Sequence, residues 1–166
     1  MSRVLVGIGS NIDPQKNLQA AFDALAAEFN SLELSPVYRC RAVGFDGDDF
    51  YNLVASFDTR LGVGELQQAL KRIEASTGRT GNETKWSGRT LDIDILTYDS
   101  VVGTVDGVEL PRDEIVKHAY VLKPLADLVP EGLHPECGKK YRALWEEFGG
   151  EKYLEQIVFQ WGDRCW

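Results

Sequence analysis

Cysteine is scarce and scattered in this chain. Cys40, Cys137 and Cys165 are odd in number and form no Cys-x-x-Cys pair, so neither a disulfide framework nor a zinc site is implied. Such thiols suit a reducing cytosol. Histidine is rarer still, and His118 and His134 lie too far apart to make an HxxxH metal pair. Long apolar runs are missing as well. The opening "MSRVLVGIGSN" breaks at Ser10 and Asn11, too early for a signal peptide or a membrane span. A soluble, cytoplasmic protein with no membrane partner is expected. Positive charge is also in short supply, with 18 basic against 26 acidic residues and a net charge of -8. That balance argues against nonspecific nucleic-acid binding, which rests on neutralising phosphates. An anionic ligand must therefore meet a local basic patch.

Several nucleotide and catalytic signatures are lacking too. "GIGSNI" places Ile12 where the third glycine of a dinucleotide fingerprint would fall, and no Walker lysine follows. A tight turn after a strand is the simpler reading. "DGDD" at Asp46 to Asp49 lacks the alternating ligands and terminal glutamate of a calcium loop. No serine sits in a GxSxG elbow, so no Ser-His-Asp triad is proposed.

What is present reads as one α+β domain over residues 1–166, whose 43% hydrophobic content and 4 Trp supply a substantial core. Arg3 to Gly9 is strand-like, and Asp13-Pro14 offers an N-cap followed by proline at the first helical position. Leu18, Phe22, Leu25 and Phe29 then form one helical stripe reaching about Asn30. Strands are expected at Leu32 to Arg39 and Tyr51 to Asp58. A second helix carries Leu66, Leu70, Ile73 and Thr77 and stops at Gly78. With a last strand from Leu91, the order is βαββαβ, a ferredoxin-like core with an antiparallel sheet. Two helices would cover one face and leave the other for ligands. "VVGTVDGVEL" suggests a C-terminal hairpin turning at Val-Gly or Asp-Gly, "YRALWEEF" a short helix, and "FQWGDRCW" an added strand or contact surface.

The strand "LDIDIL" carries the chemistry. Alternation puts Leu91, Ile93 and Ile95 on one face and Asp92, Asp94 and Leu96 on the other. The two carboxylates then stand roughly 6.5 to 7 Å apart and repel unless a cation lies between them. A wetted sheet face is one reading. Just upstream, however, Arg79, Lys85 and Arg89 accompany a single acid, Glu83. Cations beside paired acids suggest phosphate with magnesium, which takes oxygen ligands from one or two carboxylates and from substrate phosphates. Two such ions about 3.5 to 4 Å apart fit the pair.

"GIGSN" at Gly7, "FYN" at Phe50, "RIEASTGR" at Arg72, "KWSGRTLDIDIL" at Lys85 and "YVLKPLADLVPE" at Tyr120 resemble the 6-hydroxymethyl-7,8-dihydropterin pyrophosphokinases of folate biosynthesis. The resemblance runs from about Val4 to Pro130. It implies transfer of the terminal diphosphate of ATP to the hydroxymethyl oxygen of the pterin, with release of AMP. It further implies that Asp92 and Asp94 hold two magnesium ions and that Arg79, Lys85 and Arg89 grip phosphates, with Trp86 closing over the site. Glu74 would face the nucleotide. Asn52 would read the pterin edge, Phe50 and Tyr120 would stack on its ring, and backbone near Cys40, Ala42 and Val43 would complete the pocket.

The chain also departs from that pattern. Ser87-Gly88 stands where the family has Gly-Pro, and Gly81 where an arginine is common. Arg112 follows Pro111 in place of histidine, and His118 replaces an arginine. Arg112 and His118 are therefore candidate nucleotide contacts of a different kind. A diverged relative that binds a pterin or nucleotide without turnover is the alternative reading.

Overall fold

The computed structural model describes residues 1–40, 49–77, 91–150 and 153–166. In chain order the elements are β1 (Ser2–Ser10), α1 (Pro14–Glu28), β2 (Asn30–Leu34), β3 (Val37–Cys40), β4 (Phe50–Thr59), α2 (Val63–Ser76) and β5 (Asp92–Tyr98). They continue with β6 (Gly103–Val105), β7 (Val108–Leu110), α3 (Glu114–Lys117), α4 (Ala119–Leu128), α5 (Tyr141–Glu147), β8 (Glu155–Ile157), β9 (Gln160–Trp161) and β10 (Arg164–Cys165).

The main sheet runs β5-β1-β4-β3-β8, with β2 also on β4. All of its pairings are antiparallel. The single strand expected at Leu32 to Arg39 is two strands, because Pro36 follows Ser35 and has no N–H to give the ladder. Buried Ser35 spans the break. Its N–H donates to the Val54 carbonyl and its Oγ accepts from the Val54 N–H, both at 2.9 Å.

Asp13 does precede α1 but does not cap it with its side chain. It adopts a left-handed conformation (φ 41°, ψ 54°) and makes no side-chain cap bond. The turn is closed from inside the helix, where Asn17 Nδ2 donates to the Ile12 carbonyl at 2.6 Å. Thr77 lies at the end of α2 rather than on its buried stripe, and Gly78 lies outside the described residues. The C-terminal hairpin turns at Asp106-Gly107, both with positive φ, which favours the Asp-Gly turn over Val-Gly.

Helices lie on both faces of the sheet, which corrects the expectation that the second face is left open. On one side, Val4, Val6, Ile8, Leu53, Phe57, Ile93 and Ile95 meet Leu18, Phe22 and Leu25 of α1 and Leu66, Leu70 and Ile73 of α2. On the other, Leu5, Val54 and Leu96 meet Val121, Leu122 and Leu125 of α4. Pro124 inside α4 masks its helical signal. The aromatic tail is an intramolecular hairpin over α1: Phe22 packs edge-on against Phe159 and Trp161, with ring centres 5.6 and 5.5 Å apart. Trp161 Nε1 donates to Asp23 and Trp166 Nε1 to the Ser35 carbonyl, each at 2.8 Å.

Candidate active site

The sheet face against which α4 packs carries several of the residues expected at the site. Asp92 of β5 is registered with Gly9 of β1, Gly9 with Asn52 of β4, and Asn52 with Tyr38 of β3. One rung therefore carries an aspartate, a bare glycine, an amide and a tyrosine. Two residues along, Asp94 is registered with Gly7 and Gly7 with Val54. Leu91, Ile93 and Ile95 are buried in the opposite core while Asp92 and Asp94 remain partly exposed, as the alternation predicts. The glycines repeat with the same period of two as the aspartates, a signal the sequence offered and its reading passed over as a turn.

Glu74, expected to face the nucleotide, has a structural partner in this state. Its Oε2 accepts from the Ile93 N–H at 2.9 Å. That N–H lies between the two aspartates on an edge strand, where the ladder supplies no acceptor. Glu74 thus ties α2 to the strand that bears the carboxylates.

Arg112 stands beside Asp94. Its guanidinium Nη2 is 3.8 Å from Asp94 Oδ1 and 3.4 Å from Glu114 Oε1, and its backbone N–H donates to the Leu96 carbonyl at 2.9 Å. Burial works against its charge, but Asp94 and Glu114 outweigh it and hold the group more basic than usual. Its buried Nε has no hydrogen-bond partner among the described residues. Tyr120 enters the same cluster from the first turn of α4. Burial, then the charges of Glu114, Cys40 and Asp94, push its hydroxyl up to about 12. The His118 ring stacks on it, 4.9 Å between centres and 15° from parallel.

Asn52 is 9% exposed, and its Nδ2 donates to Cys40 Sγ at 3.0 Å. Burial raises the Cys40 thiol to about 11. Phe50 is registered with Cys40 at the start of β4 and is half-buried. Tyr38, on the Asn52 rung, donates its hydroxyl to Asp127 of α4, whose other oxygen accepts from Lys123 Nζ at 2.9 Å. This pairing fastens the helix that carries Tyr120 and that His118 immediately precedes, and the motif-based reading missed it. Its signal, a buried tyrosine in a strand, is shared with ordinary core residues. Arg79, Lys85, Trp86, Arg89, Ala42 and Val43 lie outside the described residues.

Among the described residues, no group of three or more His, Cys, Asp or Glu side chains could hold a metal ion. Two partly exposed carboxylates facing bare glycine backbone nevertheless make a donor set that magnesium accepts when phosphates and water complete its shell. An acidic strand, a neighbouring guanidinium and a buried amide on one sheet face are the kinds of group that phosphate transfer from a nucleotide uses. The chain belongs to the 7,8-dihydro-6-hydroxymethylpterin-pyrophosphokinase family, whose model matches residues 5–130. It is 37% identical over 135 residues to the 2-amino-4-hydroxy-6-hydroxymethyldihydropteridine pyrophosphokinase of Pseudomonas aeruginosa, covering 79% of this chain and 83% of that one. The enzyme of the same name from Aquifex aeolicus is 31% identical over 157 residues, covering 93% and 95%. The fold is similar to the crystal structure of Plasmodium falciparum HPPK-DHPS, with a TM-score of 0.74, 12% identity and 99% of this chain covered. This chain spans 49% of that much longer one.

Proposed function

We propose that this chain carries out its family's reaction, transferring the terminal diphosphate of ATP to the hydroxymethyl oxygen of 6-hydroxymethyl-7,8-dihydropterin in folate biosynthesis. The hydroxyl oxygen attacks the β-phosphorus, the bond from that phosphorus to the α-phosphate bridge breaks, and AMP leaves. The observation that carries this reading is the rung on which Asp92 and Asn52 flank Gly9. It supports a phosphate-metal position and a heterocycle-reading amide on the two strands that flank β1, on one face.

The residue roles follow from chemistry. Asp92 and Asp94 are the groups that would hold two magnesium ions, which when bound neutralise the polyphosphate. Arg112, already held charged beside Asp94, is suited to a phosphate oxygen and supports the catalytic reading over that of a diverged binding protein. Asn52 would hydrogen-bond the pterin edge, and Phe50 and Tyr120 would lie along its faces. Transfers of this kind depend on positioning and charge neutralisation, so no covalent nucleophile is required. Arg79, Lys85 and Arg89 would add phosphate contacts, Trp86 would close the site, and backbone of Ala42 and Val43 would border the pterin. The β1 strand lying between β4 and β5, with α1 and α2 on one face, supports a ferredoxin-like core. No helix among the described residues is long and apolar enough to cross a membrane, and scattered cysteines support a cytoplasmic setting.

The test is AMP release from ATP by the purified protein with the pterin, with and without a chelator. Magnesium-dependent AMP matched by pterin diphosphate is expected. Binding of the pterin without AMP would refute the transfer.

A further inference from the structure

An asparagine amide reads a ring edge only if its plane is fixed, and its last torsion has no sharp rotamer preference of its own. Neighbours must fix it. Asn52 has one on each side. Toward β3, its Nδ2 donates to Cys40 Sγ at 3.0 Å. Toward β1, its Oδ1 lies 2.7 Å from where a Cβ on residue 9 would stand, so the amide leans over the bare backbone of Gly9. Among the described residues none donates to that oxygen.

Gly9 is not needed for its backbone freedom, because it is absent from the glycines with positive φ. Its use is the space it leaves. Gly7, on the same face, differs: the nearest atoms a Cβ there would meet are those of the Leu96 side chain at 3.5 to 3.8 Å, an ordinary contact. Two glycines of the same strand thus have unequal reasons to be glycine.

We infer that Cys40 and Gly9 are positioning residues that clamp the Asn52 amide across the sheet and so set how tightly the pterin is recognised. This assignment rests on the pterin reading above. The Cys40 side chain, and not only nearby backbone, then belongs to the pocket. Sulfur is a weak acceptor, and a serine hydroxyl of similar size would hold the amide at least as well.

Steady-state kinetics with both substrates test this, alongside circular dichroism to verify folding. Gly9→Ala should raise the pterin KM by about tenfold or more, with the ATP KM within about twofold, because a buried hydrogen-bonding group is displaced. Added to Asn52→Ala, Gly9→Ala should cost less than about a further twofold, since residues acting through one group are non-additive. Additive losses, or equal rises in both KM values, would overturn the assignment. If Gly9→Ala does not fold, Cys40→Ala decides: its pterin KM should rise about threefold while Cys40→Ser stays near wild type, and equal behaviour of the two would overturn the clamp. A wild-type protein that fails to bind pterin would remove the proposed function and the clamp together. Normal wild-type turnover with additive losses would remove the clamp alone.

Discussion

The Arg112 guanidinium lies 3.8 Å from the Asp94 carboxylate. The pair is about a third to a half exposed, at 35% and 45%, so it contributes little to stability on its own. Its consequence is placement: a cation sits within reach of whatever the aspartates bind.

Arg112→Ala should therefore lower kcat/KM for ATP by roughly 10- to 100-fold while shifting stability by less than about 1 kcal/mol. Arg112→Lys should recover only part of the loss, because a point charge lacks the planar fork. Kinetics at saturating pterin and a thermal melt check both halves.

Asp92→Asn and Asp94→Asn should each reduce magnesium-dependent AMP release by about 100-fold or more, through loss of charge compensation at the phosphates. Both variants should still fold, because removing one of two neighbouring like charges relieves repulsion. Near-normal turnover in either would exclude its carboxylate from metal binding.

Glu74→Ala should leave the Ile93 N–H without its acceptor and destabilise the protein by about 1 to 3 kcal/mol. Glu74→Gln, which keeps a carbonyl oxygen there, should lose much less. Amide hydrogen exchange at Ile93 reports the difference directly: rapid exchange in the alanine variant alone is the expected pattern.

Stability should fall as pH rises above about 9. Burial lifts Cys40 from 9.0 to about 11 and Tyr120 and Tyr141 from 10.0 to about 12. The folded state then holds protons that the unfolded chain releases, so the slope of stability with pH is negative in this window. Each group's contribution is complete below its unfolded pKa and is lost as pH climbs through the folded one. Urea midpoints between pH 8 and 11 check the slope, and Cys40→Ala should remove its first part.

Periodicity determined much of this protein. The stripe of Leu18, Phe22 and Leu25 and the alternation of Asp92 and Asp94 with Leu91, Ile93 and Ile95 are local patterns, and the structure buries the apolar members of both in one core. The bulk of the βαββαβ order was legible for the same reason. The resemblance on short motifs agreed with the family the chain belongs to.

Tertiary structure decided the rest, because it depends on register and on residues far apart in the chain. Pairing of β1 with both β4 and β5 brings Asn52 to Asp92 across Gly9, and a slip of one residue would turn those side chains to opposite faces. Packing alone brings Arg112 to Asp94, Glu74 to Ile93 and the Tyr38 hydroxyl to Asp127. No local pattern encodes such meetings, because propensity and periodicity act over a few residues whereas these contacts span from 18 to 89 positions of sequence. The space above Gly9 is likewise a property of the folded sheet: a glycine in a sequence looks the same whether it turns the chain or makes room for a neighbour's amide.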